Sequence, residues 1–102
     1  MIKFSLFPEG ENLEVSLMGD LDIDGTEIIE ELIPEMEKYM EINLNLRDVP
    51  FVDSSGMGLL LNLVQTLNDQ GIKITVSNVR EDIMEVFEML QLPDILGEGV
   101  FV

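Results

Sequence analysis

The chain has 102 residues, with 21 acidic against 5 basic side chains (a formal charge of −16), 46% hydrophobic residues, and neither cysteine nor histidine. Lacking cysteine, it can form no disulfide and no thiolate metal site; lacking histidine, it has no Ser-His-Asp or Cys-His chemistry. So negative a surface is repelled by a phosphate backbone or an anionic bilayer, which argues against nucleic acid and membrane and for a partner with a basic surface.

The length suits a single domain over residues 1–102. No apolar stretch is long enough for a secretory signal or a membrane span, so the expected location is the cytoplasm. Seven methionines are many for this length, and some are expected on an adaptable contact surface.

In chain order, two segments of period two come first. Ile2, Phe4 and Leu6 share one face, then Leu13, Val15 and Leu17. Pro8-Glu9-Gly10 between them signals a turn, so they are expected to pair as a hairpin. Asp24 with Glu27 reads as a capping box opening a helix over about 25–41. Its core arc is Ile28, Ile29, Leu32, Ile33, Met36, Tyr39 and Met40, with Pro34 and a glutamate face turned to solvent.

A third strand sets Ile42, Leu44 and Leu46 against Asn43 and Asn45. A second helix runs from near Ser55 to just before Gly71. The fourth strand sets Ile72, Ile74 and Val76 against Lys73 and Thr75. Asn78 with Glu81 predicts a second capping box, opening a helix whose stripe is Val79, Ile83, Val86, Phe87 and Leu90, with Pro93 just past its end. Gly99–Val102 is a candidate fifth, edge strand.

The order β-β-α-β-α-β-α gives an α/β fold with a mixed sheet, a hairpin joined to parallel strands. Strands covered on both faces read as unbroken apolar runs, and these alternate. The prediction is therefore two layers, a four- to five-stranded sheet with helices mainly on one face. Asn43, Asn45, Lys73 and Thr75 should point to the other face. A doubly wound nucleotide-binding sheet is disfavoured.

The most informative stretch is 44–60, where a strand passes through a loop into Asp53-Ser54-Ser55-Gly56 at a helix start. Taken alone these four residues are ordinary capping chemistry. Helical phase sets Ser55 on one polar arc with Gly58, Asn62, Gln65, Thr66 and Asp69. An exposed hydroxyl at the positive end of a helix suits a phosphate acceptor. The opposite apolar arc spans roughly 200°, more than burial of one face needs. Met57 and Leu61 on its margin either meet a partner or fill gaps against the third helix.

This stretch resembles the signature of STAS domains, the family of anti-sigma-factor antagonists and of the cytoplasmic domains of sulphate transporters. Gly19-Asp20-Leu21-Asp22 resembles the family's Gly-Glu/Asp-Leu-Asp element, and Val79–Leu90 with Leu92–Leu96 its closing segment. The resemblance covers essentially the whole chain. It implies a two-layer STAS fold in a bacterial, cytoplasmic regulator of transcription without cofactor. It further implies phosphorylation at Ser55 by an anti-sigma factor with serine kinase activity, and resetting by a PP2C-type phosphatase. The unphosphorylated protein would bind that anti-sigma factor through Asp20, Asp22, Asp53, Ser54, Ser55, Gly56, Met57, Gly58, Leu61 and Asn62. Ser54 is expected at or near the helix cap. The alternative is a constitutive scaffold or adaptor of a stress-signalling or lipid-transport complex, and the oligomeric state is expected to be monomer or weak dimer.

Two other readings compete. Asp20-Leu21-Asp22-Ile23-Asp24-Gly25, with Glu31 six residues after the glycine, satisfies the spacing of an EF-hand calcium loop. An EF-hand needs an entering helix, and Leu13–Leu17 has strand period; Glu27 also occupies the usually apolar eighth position. The favoured reading is a capped strand-to-helix turn without a metal site. Catalysis would have to rest on Asp53, Ser54 and Ser55 with no base beyond carboxylates and five Lys or Arg. Lys73 and Arg47 lie on strands beside no nucleophile, and no enzyme is expected.

Overall fold

The computed structural model describes residues 2–102. Strand β1 (Lys3–Glu9) pairs antiparallel with β2 (Asn12–Met18). A 3-10 turn, Ile23–Gly25, leads into α1 (Thr26–Met36). Then follow β3 (Glu41–Asp48), α2 (Ser54–Asp69), β4 (Lys73–Ser77), α3 (Glu81–Met89) and α4 (Leu92–Leu96). The sheet order is β1-β2-β3-β4, with β3 parallel to both β2 and β4. The chain end adds a bridge rather than a fifth strand: Phe101 lies parallel to Val76, whose amide bonds the Val100 carbonyl.

The mixed two-layer sheet is thus as the alternation predicted. Every second residue of β2, β3 and β4 (Leu13, Val15, Leu17; Ile42, Leu44, Leu46; Ile74, Val76) is buried against the helices. From above they meet Leu32 and Met36 of α1, Leu63 and Leu67 of α2, and Phe87 of α3 in one continuous cluster. The other sheet face carries no helix and is bonded across its strands. Asn43 Nδ2 donates to Thr75 Oγ1 (2.8 Å) and Ser77 Oγ to Asn43 Oδ1 (2.8 Å). Asn78 Nδ2 donates to Asn45 Oδ1 (3.2 Å). Lys73 pairs with Glu41 at the end of this face (3.3 Å). Because these polar groups satisfy one another, the face needs no covering layer.

Element ends differ from the sequence reading where tertiary contacts compete. Pro8 and Glu9 belong to β1, and the hairpin loop is Gly10-Glu11, with Gly10 at φ +61. Pro8 fits because β1 is an edge strand, where a missing N–H breaks no ladder. The first helix is continuous through exposed Pro34, as read, but ends at Met36 instead of 41. Residues 37–40 turn the chain into β3, and the Met40 amide bonds the Glu11 carbonyl of the hairpin. Met40 therefore leaves the core arc and is exposed.

Neither capping box forms. Asp22 Oδ1 accepts from the Asp24 amide (3.0 Å), so the helical path starts at Ile23 and the α1 cap position falls on Gly25 without a side-chain bond. Asn78 adopts a left-handed conformation at the end of β4, spends its amide on Asn45, and leaves Arg80 at the α3 cap position. Val86 and Leu90, assigned to the α3 core stripe, are exposed; Ile83 and Phe87 carry the packing. Pro93 lies past the end of α3, as read, and stands at the start of a further short helix, α4.

Candidate functional site

Two loops meet where β2 and β3 run out. After β2 the chain passes Gly19 and Asp20; after β3 it passes Val49, Pro50 and Phe51. Bonds stitch the loops: Gly19 N to Asp48 O (3.0 Å), Leu21 N to Phe51 O (2.9 Å), Asp53 N to Leu21 O (3.3 Å). Leu21 and Val52 form an isolated parallel bridge. Leu21 is buried, so its neighbours Asp20 and Asp22 are turned the other way by strand alternation. The same alternation turns Phe51 and Asp53 away from the side of Val52. The Gly19–Asp22 element and the Asp53–Gly56 element thus form one surface.

Asp53, and not Ser54, caps α2. Its backbone is extended, and Oδ1 accepts from the Gly56 amide at 2.8 Å. The carboxylate reaches the third residue of the helix, the position an N-cap oxygen is built to satisfy. Ser54 is the first helical residue, with its side chain in solvent. Of the first four amides of α2, that of Asp53 bonds Leu21 O and that of Gly56 bonds Asp53 Oδ1. The remaining two belong to Ser54 and Ser55, within the first turn and without an intrahelical acceptor.

Gly56 has a physical reason to be glycine: a Cβ there would overlap the Leu21 carbonyl. The helix start rests directly on the bridging backbone.

Ser55 is exposed on an arc with Gly58, Asn62, Gln65 and Asp69, as helical phase predicted, whereas Thr66, assigned to the same arc, is half-buried. Ser54 is exposed too, so solvent access does not distinguish the serines. Met57 and Leu61 are half-buried and pack on the core cluster. Asn62 lies about two turns along α2 from Ser55.

The EF-like spacing begins two residues after β2 and runs through the Leu21 bridge and the 3-10 turn into α1, so a strand and not a helix leads into it. Asp22 is engaged as a cap, and among the described residues no acidic cluster has metal-holding geometry.

Sequence reasoning missed two side chains here. Ile23 is 69% exposed and Phe51 49%, and they flank the serine turn on its two loops. An aromatic two residues before a polar signature, outside any periodic segment, was the available signal for Phe51. Nothing in the pattern marked Ile23, which could equally have belonged to the α1 arc.

A family model of the STAS domain matches residues 9–101, and the chain belongs to that family. Within it, the chain is 27% identical over 90 residues to an anti-sigma-B factor antagonist of Bacillus subtilis (strain 168), covering 86% of this chain and 83% of that protein. Among solved structures it is similar to the anti-sigma factor antagonist SpoIIAA in its unphosphorylated form, with TM-score 0.68 and 26% identity over 85% of this chain and 83% of that one. It shares its fold with phosphorylated SpoIIAA of Bacillus, at TM-score 0.72 and 24% identity over 98% and 89% of the two chains.

Proposed function

We propose that this chain is an anti-sigma-factor antagonist, a binding protein and not an enzyme, whose hold on its partner is broken by phosphorylation at Ser55. The partner is an anti-sigma factor with serine kinase activity, met in the cytoplasm, and a PP2C-type phosphatase restores the binding form. The observation that carries this reading is the division of labour at the start of α2. Asp53 does the capping, so both serine hydroxyls lie in solvent beside two first-turn amides. Relatives that bear the antagonist name, and a related fold known with and without phosphate, support it. The resemblance of Asp53-Ser54-Ser55-Gly56 to the family motif supports Ser55 rather than Ser54 as the phosphorylated residue.

The chemistry follows from charge. A phosphate adds about −1.5 to −2 charge and three strong acceptor oxygens. The helix dipole and free amides stabilise that dianion locally. Toward a partner it does the opposite, because it joins Asp20, Asp22 and Asp53 on one surface of a chain with net charge −16. Two unit charges about 4 Å apart near a surface repel by about 4 kcal/mol before solvent and counterions reduce it. Each ~1.4 kcal/mol is tenfold in affinity, so a discounted fraction suffices to release a partner whose contact surface excludes a dianion.

The test is affinity capture from the source bacterium with the wild-type chain and Ser55→Asp as baits, followed by mass spectrometry. The expected result is a kinase-type anti-sigma factor held by the wild-type chain and depleted on Ser55→Asp, with phosphate found on Ser55. Recovery of transporter subunits, equally on both baits and without phosphate, would replace this reading by a constitutive adaptor.

A further inference from the structure

The C-terminal helices expose apolar surface that the serine turn does not explain. Ten large hydrophobic side chains are exposed among the described residues, and five of them (Val86, Met89, Leu90, Ile95 and Val102) fall within 81–102. Val86, Met89 and Leu90 are spaced i, i+3 and i+4, so they form one stripe along a shoulder of α3. Met89 is 80% exposed. By helical phase Asp82 and Glu85 border the same shoulder. Beyond Arg80 the sequence has six acidic residues and no lysine or arginine.

This surface is remote from the serine turn. The first turns of α2 and α3 both follow the C-terminal ends of parallel strands, β3 and β4, and both helices run back along the sheet. The last turn of α3, with Met89 and Leu90, therefore lies at the end opposite to Ser54 and Ser55. Nine helical residues span about 13 Å, a substantial fraction of a molecule 34 × 29 × 19 Å in extent.

We propose that the α3 stripe is a second docking surface, and that its occupant is a basic amphipathic helix of a partner protein. An apolar stripe edged on its own helix by the carboxylates of Asp82 and Glu85 matches a helix with an apolar face flanked by lysine or arginine. A thioether at the most exposed position adapts to differing apolar surfaces. A second copy of this chain is the wrong occupant, since its own stripe would bring like charges together. Occupation of this surface leaves the serine turn free, so the chain can hold two partners at once. The proposal does not depend on the antagonist reading.

The experiment is an NMR titration of the whole chain with a synthetic Leu/Lys amphipathic peptide of about 18 residues, and with a scrambled peptide of equal composition. Amide shifts should concentrate in 81–96, with the scrambled peptide weaker. The decisive variant is Met89→Glu, an exposed position that folding does not need. It makes the protein more negative, so binding by charge alone would tighten. Docking on the stripe predicts binding weaker by about tenfold or more, from one apolar anchor lost. Ser55→Asp should leave this binding unchanged. Tighter binding by Met89→Glu, equal binding of the scrambled peptide, shifts confined to the serine turn, or peptide-free self-association through residues 86–95 would each overturn the proposal.

Discussion

Gly56 and Leu21 are in backbone contact across the two loops, and the fit leaves no room for a side chain on Gly56. The obstructing atoms belong to a main chain that is itself hydrogen-bonded to Asp53. Gly56→Ala cannot be absorbed by a rotamer change, so the helix start must separate from the bridge. Overpacking against backbone is expected to cost about 3 kcal/mol or more, a fall in Tm of more than about 12 °C for a domain of this size. Thermal denaturation checks this; a variant melting within a few degrees of wild type would mean the two loops are not held together as described.

The cap assignment separates two adjacent residues. Asp53→Ala removes the only side chain bonded to the Gly56 amide and should cost about 0.5–2 kcal/mol. Ser54→Ala removes an exposed hydroxyl and should stay within about 0.5 kcal/mol of wild type. Urea denaturation of both variants decides the matter, and the reverse order would return the cap to Ser54.

Ile23 and Phe51 are exposed apolar side chains on the two loops beside the serine turn. Truncating either to alanine should leave melting nearly unchanged, because each is substantially exposed, and should weaken anti-sigma binding by about tenfold or more. Calorimetric titration of the unphosphorylated variants measures it. Unchanged affinity for both would confine the contact surface to α2 itself.

The acidic segment from Asp20 to Glu31 is expected to show no saturable micromolar calcium site. Asp22 is committed to the turn, and the segment before Asp20 is a strand. A stoichiometric micromolar isotherm that Asp22→Ala abolishes would establish a metal site here.

How much of this was legible beforehand varies with how local the cause is. The strand pattern of Asn43 and Asn45 between Ile42, Leu44 and Leu46 disclosed the open sheet face, since alternation is set by the sheet face each residue occupies. The phase of Ser55, Gly58 and Asn62 disclosed the polar side of α2 in the same way. What escaped depended on contacts between segments distant in sequence. The α1 end was decided by a bond from Met40 to Glu11, and the role of Asn78 by its amide contact with Asn45 across the sheet. The cap fell to Asp53 and not Ser54 because the Leu21 bridge holds Asp53 in extended conformation. The order Asp-Ser-Ser offers three adequate caps and does not choose among them.

The central claim is that charge on Ser55 controls partner binding while the fold stays the same. The most direct measurement is the affinity of the cognate anti-sigma factor for the unmodified chain and for the chain phosphorylated by that factor with ATP, with the phosphosite mapped in the same sample. The account predicts phosphate on Ser55, an affinity at least about a hundredfold weaker, and closely similar circular dichroism spectra and melting curves. Ser55→Ala should bind as tightly as wild type and accept no phosphate. Phosphate on Ser54 with Ser55→Ala still a good substrate, or a phosphorylated chain that binds as tightly as the unmodified one, would contradict it.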